Sequence, residues 1–107
     1  LNLNIPVKVG NSSLIYYKGS QYSVSPKYIN KTLKIKVNNN KLYIYHNTEL
    51  VQTHNLSEQR INYTDSDYKT LLSLTMPYKT EEEIENLSKK NLELFELNTK
   101  KEGNKNG

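Results

Sequence analysis

The stretch from Tyr22 to His54 decides the fold of this chain. It reads Tyr-Ser-Val-Ser-Pro-Lys-Tyr-Ile-Asn-Lys (22–31), Thr-Leu-Lys-Ile-Lys-Val (32–37), Asn-Asn-Asn (38–40), Lys-Leu-Tyr-Ile-Tyr-His (41–46) and Asn-Thr-Glu-Leu-Val-Gln-Thr-His (47–54). Apolar and polar residues alternate from Thr32 to Val37, which is typical of a half-buried strand. The asparagines that follow favour a tight turn. The stretch therefore predicts consecutive short strands joined by turns.

The turn at Asn39-Asn40 predicts how its two flanking strands pair. The predicted pairs are Val37 with Leu42, Ile35 with Ile44, Lys36 with Tyr43, and Lys34 with Tyr45. The first two pairs share the inner face, and the other two share the outer face. A two-residue loop at Asn47-Thr48 would pair Ile44 with Val51, and it would leave Leu50 outside beside Tyr45.

An earlier hairpin is predicted around Gly19-Ser20. Glycine at the first central position of a two-residue loop suits a type II′ turn. This loop would pair Tyr17 with Tyr22 and Ile15 with Val24, and all four side chains would face the core.

A short helical turn is predicted between the hairpins. Ser25 can cap such a turn, Pro26 suits its first position, and Asn30 tolerates the left-handed backbone that ends it. We expect one helical or 3₁₀ turn, with Tyr28 and Ile29 folding onto the strands.

These patterns predict a mainly β fold, a small antiparallel β-barrel of five to six short strands followed by one or two C-terminal helices. Thr64 and Thr80 each begin a capped helical segment. In the second segment Ile84, Leu87, Leu94 and Phe95 share one sector, with Leu92 and Leu97 at its margins. The predicted organisation is a barrel domain over residues 1–58, a linker over 59–63, helices over 64–98 and a disordered tail over 99–107.

Composition adds limits on compartment and partners. The 107 residues include no cysteine, which fits a reducing compartment. No apolar run approaches the roughly 20 residues of a membrane helix. The net charge of +4 conceals an asymmetry, because residues 1–54 carry seven lysines and one acid. Such a positive field favours anionic partners. The chain begins without Met, and we expect it to be a fragment of a larger protein.

No pattern of residues indicates a catalytic site. His46 and His54 have no acid at a ligand spacing beside them, so strand-end surface histidines are the simpler interpretation. The nine tyrosines do not indicate a tyrosine nucleophile, because that chemistry needs several basic partners and Arg60 is the single arginine. Asp65, Asp67 and Glu81 to Glu83 suggest a two-metal site, but capping at two helix starts explains them better.

The outer face of the Asn39-Asn40 hairpin is the main candidate binding surface. Its predicted DNA-contacting residues are Lys27, Lys31, Lys34, Lys36, Lys41, Tyr43 and Tyr45. Lysines beside aromatic rings suit phosphate and sugar contacts, and lysine rather than arginine favours backbone contact without base readout. A lysine stem over a tyrosine ring also stabilises a hairpin without any ligand. A protein-interaction surface is the rival interpretation.

The spaced turn residues resemble a known family. The segments Tyr22 to Lys31, Leu33 to Val37 and Leu42 to Tyr45, with His54 closing the run, are similar to the C-terminal barrel domain of Mu-like transposases of the IstA insertion-sequence type. The likeness covers roughly Ile5 to His54, and more weakly the helix region around Met76-Pro77-Tyr78. Ser25 stands where the family usually has proline, and Asn30 where it usually has glycine.

The resemblance implies a DDE-type transposase whose ribonuclease-H-like catalytic domain lies outside this chain. It implies a non-catalytic role in which the domain contacts DNA backbone non-specifically during transposition and DNA integration. The implied partners are DNA, other transposase subunits and a helper ATPase, with no membrane, and the implied compartment is the bacterial cytoplasm. It implies no cofactor.

Overall fold

A computed structural model describes residues 4–98, as short strands followed by two helices. The elements in chain order are β1 Ile5–Lys8, β2 Leu14–Tyr17, β3 Ser20–Ser23, a 3₁₀ turn Pro26–Tyr28, β4 Thr32–Asn38, β5 Lys41–His46, β6 Glu49–Asn55, β7 Ile61–Asn62, α1 Asp65–Thr75 and α2 Glu81–Asn98. The predicted disordered tail, 99–107, lies outside the described residues.

The strands form two sheets rather than one closed barrel. An antiparallel sheet has the order β1-β4-β5-β6, and a three-stranded sheet has the order β2-β3-β7. In the second sheet β3 and β7 are parallel. The mainly β class and the C-terminal helices are confirmed, whereas closure into a complete antiparallel barrel is replaced by a small sandwich-like pair of sheets.

Both edges of the four-stranded sheet carry features that oppose further pairing. Pro6 lies in edge strand β1 and has no backbone N–H to donate. Edge strand β6 contains a bulge, and the Gln52 side chain accepts a hydrogen bond from the Thr53 N–H at 3.0 Å. Such features discourage edge-to-edge association, so an open sheet is tolerated here without barrel closure.

The main core lies between the two sheets. Its buried members are Val9, Ile15, Tyr22, Val24, Tyr28, Leu33, Ile35, Leu42 and Ile44. Leu33 and Ile35 enter it because alternate residues of β4 point the same way. Burial of these side chains is the main force that holds the sheets together.

The first hairpin turns one residue earlier than predicted. Its loop is Lys18-Gly19, with φ values of 47° and 85°, as a type I′ turn requires. Tyr17 therefore pairs with Ser20 and Ile15 with Tyr22, so the predicted pairs Tyr17–Tyr22 and Ile15–Val24 are wrong. Because each partner shifts by two residues, the same side chains still face the core.

The second hairpin has the predicted register. Val37 pairs with Leu42, Ile35 with Ile44, Lys36 with Tyr43, and Lys34 with Tyr45. Asn39 and Asn40 have φ values of 51° and 64°. Asparagine tolerates this left-handed backbone better than most residues do, which is why the turn forms there.

The pairing of β5 with β6 departs from prediction after two residue pairs. Tyr45 lies opposite Leu50 as expected, and Leu50 is exposed. The register then shifts, so Ile44 pairs with Gln52 rather than with Val51. A bulge inserts one unpaired residue, which places Val51 partly against the core.

The 3₁₀ turn forms as predicted. The Ser25 hydroxyl accepts a hydrogen bond from the Lys27 N–H at 3.4 Å, and Pro26 begins the turn. Asn30 has a φ of 72°. Tyr28 is buried in the main core and Ile29 packs against it.

Residues 59–63, predicted as a linker, include strand β7. Gln21 pairs with Ile61 and Tyr22 with Asn62. The Asn62 side chain also donates to the Gln21 carbonyl oxygen at 3.0 Å. This stretch is therefore part of a sheet, whereas the independence of a domain over residues 1–58 stays a prediction.

Both helix starts are capped as predicted. The Thr64 hydroxyl accepts from the Asp67 N–H at 3.1 Å. Thr80 and Glu83 form a reciprocal capping box, with bonds of 2.9 and 3.1 Å. The helices enclose a second core around Tyr68, Leu72 and Ile84.

Only part of the predicted apolar sector of α2 is covered. Ile84 is buried, and Leu87, Leu92 and Phe95 pack against the second core. Leu94 and Leu97 are 48% and 76% exposed. The assignment of Leu94 to the packed sector is therefore wrong, because the covered face of α2 runs through Ile84, Ser88 and Phe95, and Leu94 lies about 100° around the helix from Phe95.

Candidate nucleic-acid interface

Alternation along β4 and β5 brings lysines and tyrosines onto one outer face. Lys34 is exposed and Lys36 is half-buried. Their strand partners Tyr45 and Tyr43 are half-buried. The Lys36 ammonium lies 5.5 Å from the centre of the Tyr45 ring, within the range of a cation–π contact. The surface therefore combines half-buried aromatic rings with lysine ammonium groups that lie closer to solvent.

Neighbouring strands partly cover the two tyrosines. Thr53 of β6 lies opposite Tyr43, and Leu50 lies opposite Tyr45. Both rings are half-buried, so their exposed parts offer apolar contact of the kind made with sugars.

Sequence reasoning missed Lys8. Strand β1 pairs with β4, placing Pro6 opposite Lys34 and Lys8 opposite Thr32. Lys8 therefore lies on the same face as Lys34, and it is exposed. Its local signal was visible, because Val7 and Val9 alternate with Lys8, but the pairing of β1 with β4 is not encoded locally.

Of the remaining predicted residues, Lys41 lies on this face, whereas Lys31 and Lys27 lie outside strands β4 and β5. Lys41 is exposed at the turn end of β5, opposite Asn38. Lys31 is exposed just before β4, and its carbonyl oxygen accepts from the Val9 N–H at 3.0 Å. Lys27 lies on the 3₁₀ turn, where its ammonium is 5.4 Å from the Tyr28 ring centre. We call the surface formed by Lys8, Lys34, Lys36, Lys41, Tyr43 and Tyr45 the basic face.

Charge is segregated between the strands and the helices. Residues 4–63 contain eight basic and two acidic residues, a net charge of +6. Residues 64–98 contain four basic and eight acidic residues, a net charge of −4. Among residues 4–98, neither Lys34 nor Lys36 forms an ion pair. The basic face therefore keeps its charge available for an anionic partner.

The two histidines have structural contacts. His46 packs on Tyr28 and His54 on Tyr22, each with 5.3 Å between ring centres. His54 Nε2 lies 2.7 Å from the Ser23 carbonyl oxygen, to which it can only donate. Burial lowers the pKa of His54 below its usual value, which favours the neutral ring. Within the described part of the chain, no three His, Cys, Asp or Glu residues form a group able to hold a metal.

Two of the acids at the helix starts have defined contacts, Glu83 in the capping box of α2 and Asp67 in a buried contact. Asp67 is 6% exposed, and its Oδ2 accepts from the Ser23 hydroxyl at 2.7 Å and from the Gln52 amide at 2.8 Å. The Ser23 hydroxyl oxygen also accepts from the Thr64 N–H at 3.0 Å. We call this group, Ser23, Gln52, Thr64 and Asp67, the polar latch, because it ties α1 to β3 and β6.

Comparison with known proteins identifies the family. The sequence profile described as "Mu transposase, C-terminal domain" matches residues 2–64, which is more than half of the chain. The chain belongs to this family. The resemblance noted from the turn residues is thereby confirmed, and the chain is a Mu transposase C-terminal domain.

A curated relative extends the likeness beyond the strands. The chain is 40% identical over 89 residues to the transposase for insertion sequence element IS232 of Bacillus thuringiensis subsp. berliner. That alignment covers 83% of this chain and must therefore extend into the helices, but it covers only 20% of the relative. No solved structure matches the chain. No helix over residues 4–98 has the length and apolar character needed to span a membrane.

The two departures from the family's usual residues leave the turn intact. Ser25 caps the 3₁₀ turn with its hydroxyl, and Asn30 takes the left-handed backbone that glycine would take. Members of this family can therefore meet the same backbone geometry with different residues.

Proposed function

We propose that the basic face contacts the phosphate backbone of DNA with little sequence specificity, as the non-catalytic C-terminal domain of a DDE-type transposase. The observation that supports this role is the combination of unpaired Lys34 and Lys36 with half-buried Tyr43 and Tyr45 on one face. Lysine presents a compact point charge that suits phosphate, whereas base readout depends more on bidentate donors.

A salt-dependent titration tests the proposal. Labelled duplex DNA is titrated with the protein at about 50 and 200 mM salt, a range over which phosphate binding weakens steeply. The double variant Lys34→Glu/Lys36→Glu should weaken binding to every duplex, whatever its sequence. If each lysine meets one phosphate, the log–log salt slope should fall by about 0.9 per lysine.

The variant Lys89→Glu/Lys90→Glu is a matched control. It makes the same change in net charge on exposed residues of α2, away from the basic face. If DNA binding fell equally in both variants, the loss would reflect the net charge of the protein and not a contact at the basic face. Binding that ignores salt, or an unaffected Lys34→Glu/Lys36→Glu variant, would refute backbone contact.

The non-catalytic part of the proposal rests on the roles of the acids. Asp67 is held in the polar latch, and Glu83 takes part in the capping box of α2. The purified chain should therefore show no Mg²⁺- or Mn²⁺-dependent strand cleavage or joining. Turnover that disappears on changing Asp65 or Glu82 would contradict this expectation.

A protein-interaction role is the second candidate. It is favoured by large apolar residues left uncovered on the helices: Leu74, Leu94 and Leu97 are 65%, 48% and 76% exposed. Other transposase subunits or a helper ATPase would be the partners of such a surface. Apolar docking would persist as salt rises, which separates it from phosphate contact.

A further inference from the structure

A groove runs along the contact between α1 and α2. It consists of two clefts on either side of the ion pair between Lys69 Nζ and Glu85 Oε1, which are 2.8 Å apart. Both clefts are lined by Asp65, Lys69 and Glu85, so they form one continuous surface. We call it the acidic groove.

The acidic groove combines negative charge with an exposed apolar residue. Its lining includes five acids, Asp65, Glu81, Glu85, Glu93 and Glu96, against the two lysines Lys69 and Lys89. Leu74 also lines it and is 65% exposed. The groove therefore presents acids beside an exposed leucine, which suits a positively charged partner surface that also carries apolar groups.

The same chain carries such a surface. The basic face presents four lysines around two half-buried tyrosines. Within one copy, over residues 4–98, no ion pair joins Lys34 or Lys36 to an acid of the helices. Both surfaces are therefore left open to a partner, and a second copy carries the complementary charge for each.

We infer that the acidic groove of one copy docks on the basic face of a second copy, and that this contact competes with DNA. The inference deepens the proposed function, since it assigns the DNA-contacting surface a self-masking partner. The guarded sheet edges agree with it, because they leave faces rather than edges for association.

The contact is head-to-tail. A docked pair keeps one free groove on one copy and one free basic face on the other, so further copies can add unless the geometry closes a ring. Association should therefore grow with protein concentration. It should also weaken as salt rises, because dissolved ions screen the attraction between exposed charges.

Size-exclusion chromatography with light scattering, which measures the mass of the eluting species, tests the docking without DNA. At about 50 mM salt the wild-type chain should form species larger than a monomer, and at about 200 mM salt these should dissociate. Lys34→Glu/Lys36→Glu removes the basic face, and Glu93→Lys/Glu96→Lys reverses charge in the groove. Each variant alone should remain monomeric at the lower salt.

Mixing the two variants gives the decisive result. The first variant keeps an intact groove and the second keeps an intact face, so the equimolar mixture should form a species of twice the monomer mass. Circular dichroism of each variant checks that it is folded. A monomeric wild-type chain at the lower salt, or a mixture that stays monomeric, would overturn the docking.

Adding duplex DNA tests the competition separately. Saturating duplex should dissolve the wild-type assemblies, because both contacts need Lys34 and Lys36. Assemblies that persist with DNA bound would overturn the assignment to the basic face. If no DNA binds, the proposed function fails, whereas the mixing result still decides the docking.

Discussion

Replacing Asp67 with alanine should strongly destabilise the protein, because its carboxylate is nearly buried within the polar latch. The change removes the acceptor for the Ser23 hydroxyl and for the Gln52 amide, whose bonds measure 2.7 and 2.8 Å. Hydrogen bonds to charged groups contribute about 1.5 kcal/mol each at the lower end. The free energy of unfolding should therefore fall by about 3 kcal/mol or more.

Urea denaturation, followed by far-ultraviolet circular dichroism, measures this loss. Asp65→Ala is the matched control, because Asp65 is an exposed acid in the same first turn of α1. Its loss removes only a helix-dipole contribution of about 0.5 kcal/mol. A double-mutant cycle between Gln52→Ala and Asp67→Ala should give a coupling energy of about 1.5 kcal/mol.

The comparison with the control decides the outcome. If Asp67→Ala costs no more than Asp65→Ala, the polar latch does not stabilise the fold, and the buried contacts are energetically neutral. A coupling energy near zero would mean that Gln52 does not stabilise the fold through Asp67. Its contribution to stability would then come from its other hydrogen bond, in which it accepts from the Thr53 N–H.

Three further predictions concern His54, the two helices and Lys8. Because burial lowers the pKa of His54, the unfolded chain takes up a proton near pH 6.5 before the folded chain does. Stability should therefore fall as the pH drops below about 6.5, and His54→Gln should flatten that dependence in urea titrations. A chain ending at Tyr63 should retain the main core but lose the Asp67 bonds, and an unfolded amide spectrum would make the helices part of one cooperative unit. Lys8→Glu should weaken DNA binding, and a duplex titration that shows no change would exclude β1 from the interface.

Local sequence determines the second hairpin almost completely. Leu33 and Ile35 alternate with lysines, and two asparagines supply the positive φ values of the turn, so the pattern and the turn agree. The candidate site lies mainly on this hairpin, which is why Lys34, Lys36, Tyr43 and Tyr45 were placed on one face correctly.

One unusual turn residue and several non-local features were not predicted from the sequence. Lys18 takes a φ of 47°, which lysine does not favour, so glycine alone suggested the wrong loop. The bulge beside Ile44 depends on packing rather than on a local pattern. Strand β7 has two residues and pairs with a strand forty positions earlier, and Lys8 joined the basic face only through the pairing of β1 with β4. DNA contact by any of these residues stays a prediction.

The parallel pairing of β3 with β7 has a consequence for the order in which the protein folds. The four-stranded sheet contains two consecutive hairpins, β4-β5 and β5-β6. Their contacts join residues that are near in sequence, so they form quickly. The edge of β3 that does not pair with β2 gains its partner only when Ile61 and Asn62 are available, and the Ser23 side chain gains its partner only with Asp67. Closing such a loop costs entropy before any contact compensates for it. During synthesis the β4–β6 strands can therefore assemble first, and one side of β3 stays unpaired until β7 has left the ribosome.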